Sequence, residues 1–214
     1  MTINWKRIPP VLHSISFEVV GEDRNWNPMG LIITPDIEKA LELSAKAMND
    51  FTLEHSSEQK IRQLIQQYPQ VPMLKNHLFV FYYQSSRLEA AQQVINECLE
   101  AQPDYFYNGV MQSMLWIKSD ADREKLPVLM RGWNIVAYAG RAKFAEHEVL
   151  SYYLTAAEYY LYSGKIELAD QFIYFLEASH SNPKHKNIQN LRQKVEAIKK
   201  LPRKPPGIWV KKGR

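Results

Sequence analysis

The stretch PMLKNHLFVFYYQSSRLEAAQQVINECLEAQPDY, residues 72–105, decides the fold. Val71-Pro72 opens it, and Pro103 closes it. Leu78 and Tyr82 share one helical face, and Ser85-Ser86 breaks the run. A second helical run then carries the small Ala91 and the apolar Ile95. The spacing predicts two helices joined by a tight turn. Prolines recur at 35, 69 and 103, a period of 34 residues. Proline ends helices and is favoured at their first turn, so each one punctuates a unit.

A second stretch fits independently. Ala157 and Tyr160 lie in a first helix, and Gly164 sits in the turn. Ala169 follows where two helices cross closely. A first unit, 38–71, places Leu41, Ala45, Met48, Ile61 and Leu64 in register, with Ser57 at the small-residue position. Ala91 and Ala169 are 78 residues apart, two periods and about ten more. The extra chain falls between Lys118 and Glu146, as either a lengthened helix or a loop carrying a site.

This pattern of leucine, aromatic, alanine and closing proline resembles the tetratricopeptide repeat (TPR), with about four degenerate units. The resemblance covers roughly 36–183, about two thirds of the chain. It implies an all-α, TPR-like helix–turn–helix solenoid. Residues 1–35 form an N-terminal arm, 36–183 the repeats, 184–200 a C-terminal sealing helix and 201–214 a basic tail. In the arm, Ile15, Phe17 and Val19 alternate with polar residues, and 30–34 is a second short extended run. The two predict a small β-hairpin, or an arm packed on the first helix pair. Ile188, Leu191, Val195 and Ile198 give the last helix one apolar stripe.

The resemblance also implies a concave groove lined by the first helix of each unit. Its positions are Lys39, Glu42, Lys46 and Asn49, then Asn76, Val80 and Tyr83. Unit three supplies Tyr107, Val110, Met114 and Lys118, and unit four Leu154, Glu158 and Tyr162. Some members of the family clamp a partner's terminal carboxylate with lysine and asparagine. Lys46, Asn49 and Asn76 are the candidates here, but no matching basic pair follows on the next helix. The implied function is a scaffold holding a protein or peptide partner. Of the twelve tyrosines, at least half are expected in packing between helices.

Charge is unevenly placed. Residues 184–214 carry eleven bases and one acid, while 1–183 is net acidic at −6. The basic tail with Trp209 therefore admits sequence-independent nucleic-acid binding as an alternative. It also admits self-association, with the tail lying in the groove of its own or a neighbouring subunit. Hydrophobic residues are 45% and charged residues 23%, which excludes a wholly disordered chain. Cys98 stands alone, so no internal disulfide forms, and it reads as a buried inert thiol. The longest apolar run, Leu78–Tyr83, is far short of the roughly 20 residues of a membrane span. The N-terminus lacks the apolar core of a signal peptide, so a cytoplasmic protein is expected.

No phosphate loop, dinucleotide fingerprint or zinc signature occurs, so no enzyme, metal or cofactor is expected. His180 and His185 are five apart and do not share a helical face. His147-Glu148 with Glu158 is a conceivable acid/base pair, but these read as exposed helix residues.

Overall fold

A computed structural model describes residues 5–20, 31–50 and 54–200. The described chain is mostly helical. Its first helices are α1 (Pro35–Met48), α2 (Glu54–Gln67), α3 (Pro72–Gln84), α4 (Leu88–Ala101) and α5 (Tyr107–Ser119). Then come the short α6 (Leu126–Leu129) and α7 (Ile135–Ala139), followed by α8 (Glu146–Tyr162), α9 (Ile166–Ser179) and α10 (Lys186–Lys200). Two short strands, β1 (Glu18–Val20) and β2 (Lys143–Ala145), form one parallel pair.

Local chemistry starts and stops these helices. Thr34 caps α1, its hydroxyl accepting from the Ile37 N–H at 3.3 Å, and Pro35 occupies the first turn. Pro72 opens α3 in the same way. Gly164 turns the chain between α8 and α9 at φ 73°, a conformation glycine adopts without strain.

Packing follows sequence order. α3 buries Leu74, Leu78, Phe79, Phe81 and Tyr82 between α1 and α2 on one side and α4 on the other. α5 packs on α3, α4 and α8, and α9 on α8. α10 covers α9 with Ile188, Leu191 and Val195. Ile198, expected in the same stripe, is instead exposed at 39%. The charges of α10 are less free than a solvated face would be. Arg192 pairs with Asp170 and Glu177 of α9, and Lys199 with Asp170 at 2.9 Å. Residues 201–214, and with them Trp209 and the rest of the tail, lie outside the described residues.

The N-terminal arm corrects two expectations. β1 does not pair with the run after residue 30, of which 31–34 form no strand. Its partner is β2, with Glu18 beside Lys143, Val19 beside Phe144 and Val20 beside Ala145. Parallel pairing needs a long crossover, so a hairpin cannot make it. Of the described arm residues, Leu31 packs on the cluster of α1, α2 and α3, but residues 7–17 pack elsewhere. Ile8 and Leu12 enter the core of α8 and α9, and the Arg7 guanidinium lies 4.1 Å from the Tyr174 ring centre.

The extra chain between Lys118 and Glu146 is neither one lengthened helix nor an open loop. It folds as α6, α7, two 3₁₀ turns and β2, burying Leu126, Met130, Trp133, Ile135 and Phe144. These join the same apolar cluster as the arm, α8, α9 and α10. A second cluster fills the space between α2, α3, α4 and α5, and a third lies under α1.

One ion-pair network ties α2 to α3 and the α3–α4 turn. Glu58 accepts from the Tyr82 hydroxyl at 2.6 Å and pairs with Arg62 at 3.0 Å and Arg87 at 2.6 Å. Burial opposes the Glu58 charge, but the Tyr82, Arg87 and Arg62 hydrogen bonds outweigh it and hold the carboxyl at about 2. A depressed carboxyl stabilises the fold above its ordinary value and loses that contribution as pH falls from 4.5 toward 2. Glu58→Gln should therefore lower stability by about 1 kcal/mol at neutral pH. The gap between mutant and wild-type urea midpoints should narrow below pH 4.5. A gap independent of pH would contradict this role.

Candidate functional site

The C-terminal ends of α3, α5 and α8 bring together four of the anticipated groove residues. Tyr83 ends α3, Lys118 ends α5, and Glu158 and Tyr162 lie in the last turns of α8. The Lys118 ammonium donates to the Tyr83 carbonyl and sits 4.4 Å from the Tyr83 ring centre. Burial pushes the Tyr83 phenol up, with the Glu158 charge and Tyr162 adding to it, so the three share one electrostatic environment. Burial also raises the Glu158 carboxyl, while Lys194 of α10 opposes that from 4.0 Å. Tyr162 is 52% exposed, with the Arg123 guanidinium 5.4 Å from its ring centre.

Lys118 is the group that sets the chemistry. Among the described residues no carboxylate lies within ion-pair distance of it. Partial burial lowers its pKa, because desolvation disfavours the ammonium. Its neighbours are a carbonyl and an aromatic face, both weaker partners than a carboxylate. The arrangement can accept an anionic oxygen on Lys118 and aromatic or apolar contact on Tyr83 and Tyr162.

The other anticipated residues divide. Lys46 and Asn49 are exposed at the end of α1, where the Asn49 amide donates to the Ala45 carbonyl at 2.8 Å. Asn76 is half-buried on α3. No hydrogen bond or ion pair joins these three to the cluster among the described residues. Met114 is half-buried between the two larger apolar clusters and acts in packing. Tyr107 lies apart from this cluster. It stands at the opposite end of α5, with its ring parallel to His147 at 6.3 Å, and burial drives its phenol well above the ordinary range. Val110 is likewise core, 2% exposed.

The acid/base pairing is not assembled. Glu148 is buried, not exposed, paired with Arg141 at 2.6 Å and accepting from the Ala145 N–H at 3.0 Å. Glu158 lies ten residues along the same helix, about 15 Å away. Cys98 is buried, and burial raises its thiol to about 11. Burial likewise lowers His77 to about 4, with its Nδ1 3.0 Å from the Ser44 hydroxyl.

Two residues beside this cluster escaped the sequence reading. Arg123 comes from the extra segment, which no repeat register covers. Lys194 sat within the basic run of 184–214, where it reads as a solvated charge. No helix among the described residues is long and apolar enough to cross a membrane. No family model, curated protein or solved structure matches the chain.

Proposed function

We propose that this chain is a protein-interaction scaffold of the tetratricopeptide type, holding an extended acidic segment of a partner in its groove. The single observation that carries the reading is Lys118, partly desolvated over Tyr83 and, among the described residues, with no carboxylate in ion-pair reach. An incoming carboxylate supplies the missing partner, and Tyr83 and Tyr162 supply the apolar contact that interfaces favour. Successive packed helix pairs support the repeat assignment, since stacked repeats leave one long surface for binding. Arg123 pairs with Asp120 at 2.7 Å and Lys194 lies 4.0 Å from Glu158, so these four charges cancel and Lys118 leaves the cluster net positive. That balance favours an acidic occupant over the chain's own basic tail.

Selection of random peptides on the full-length protein tests the proposal. Enriched sequences should carry Asp or Glu beside an apolar or aromatic residue, and their affinity should fall with added salt. Enrichment of basic sequences, or of none, would overturn it. Glu158→Gln removes a repelling charge and should tighten a selected acidic peptide several-fold, read by titration calorimetry.

A further inference from the structure

A cavity of about 590 Å³ opens at the N-terminal ends of α5 and α8, remote from the groove. Tyr107 and Lys118 stand at opposite ends of α5, about 16 Å apart along the helix. Leu31, Ile33, Met73, Leu99 and Leu129 give the cavity apolar walls. Two of these walls stand in water, since Ile33 is 40% exposed and Leu99 43%. Large apolar side chains left exposed around one cavity mark an interaction site.

The charge around the mouth is acidic. Arg141 and Glu148 line the cavity and cancel each other, paired at 2.6 Å. Asp104 also lines it, is exposed, and has no ion-pair partner among the described residues. Glu100 adjoins Leu99, and Asp36 follows Ile33 by three residues; both are likewise exposed and unpaired among the described residues. The lysines near the lining are engaged. Lys75 donates to the Glu97 carbonyl at 3.3 Å, and Lys143 pairs with Glu18 at 3.4 Å.

A complementary segment belongs to the chain itself. Residues 201–214 carry Arg203, Lys204, Lys211, Lys212 and Arg214 and no acid, around the apolar Ile208-Trp209-Val210. A tryptophan anchor buries roughly 150–250 Å². The groove at the other end of the molecule suits this segment poorly, because Lys118 leaves it positive.

The tail of the same molecule is badly placed for the cavity. α10 starts near the cavity end, where Ser181 bonds Glu146 at the start of α8. It finishes at the opposite end, where Lys199 pairs with Asp170 near the start of α9. The way back covers the length of α8, about 25 Å, and the width of α8 and α5, roughly 8–10 Å each. Nine residues beyond Lys200 span about 32 Å when fully extended, so Trp209 reaches only on a taut chain. A second copy is under no such limit.

We propose that this cavity receives the C-terminal segment of a second copy of this chain. Trp209 fills the apolar interior, and Lys211, Lys212 and Arg214 meet Asp104, Glu100 and Asp36 at the mouth. Two copies that exchange tails fill both cavities and close a symmetric dimer. The site is independent of the groove, and neither needs the other.

Sedimentation velocity of the full-length protein over a concentration series is the test. The wild type should dimerise, and added salt should weaken the dimer. Trp209→Ala should weaken self-association by about tenfold or more, as loss of a buried aromatic anchor does. Asp104→Lys and Leu99→Lys, both at exposed positions, should each weaken it as well. Three results would overturn the assignment: a monomeric wild type, a dimer indifferent to Trp209→Ala, or a dimer lost with Trp209→Ala but indifferent to both cavity variants. The last would place the tail on another surface.

Discussion

Trp133→Ala should cost about 3–5 kcal/mol of stability, the largest loss expected of any substitution considered for this protein. Trp133 is 1% exposed and packs among Tyr152, Tyr159 and Tyr160, with ring centres 6.2, 5.4 and 6.1 Å away. The backbone beneath it is costly. Arg131, Gly132 and Trp133 have φ of 47°, 64° and 69°, three left-handed residues in succession. Each non-glycine residue in that region costs about 1–2 kcal/mol. Two contacts offset this, the burial of the indole and the Tyr152 hydroxyl donating to the Met130 carbonyl at 2.6 Å. Alanine removes the first and keeps the strain. The loss should therefore spread from residues 126–139 to β2 and to the arm paired with it. Denaturant unfolding measures the first effect, and faster amide exchange in residues 5–20 measures the second. A cost under about 1 kcal/mol, with exchange in the arm unchanged, would show that the extra segment is not part of the core.

Lys118→Glu should weaken a selected acidic peptide by more than about tenfold, the largest functional effect expected. The change replaces the partner of the ligand carboxylate with a like charge. Lys118 is exposed at the end of α5, so the fold should tolerate the substitution. Tyr83→Ala should cost a similar factor through lost contact area. Because Tyr83 also stacks on Phe79 at 5.8 Å, that variant needs its melting temperature measured alongside. Lys46→Glu is the comparison, since Lys46 makes no bond to the cluster and should change affinity less. Equal effects at Lys46 and Lys118 would reduce the groove to a diffuse charge effect.

What the sequence could reveal was set by distance along the chain. Thr34-Pro35, Val71-Pro72 and Gly164 act within a few residues, so the ends of α1, α3 and α8 were legible from composition alone. Tyr83, Lys118, Glu158 and Tyr162 were singled out by an expected repeat register, and they lie near one another. The β1 partner was not legible, because Glu18 and Lys143 are joined by no local pattern. Nor was the segment from 119 to 145. Its left-handed turn has glycine at one of three positions, and only packing around Trp133 accounts for the other two. Glu148 reads as exposed in sequence, yet Arg141 and the Ala145 N–H let it be buried. Ile198 kept its helical spacing but is exposed.

Photo-crosslinking from single positions tests the groove most directly. A benzophenone side chain replaces Tyr162 in one protein and Ile32, 80% exposed before the start of α1, in another. Each is irradiated with the same selected acidic peptide. The account predicts crosslinking from position 162, reduced by excess unlabelled peptide, and none from position 32. Equal crosslinking from both, or crosslinking from position 32 alone, would contradict a binding site at the C-terminal ends of α3, α5 and α8.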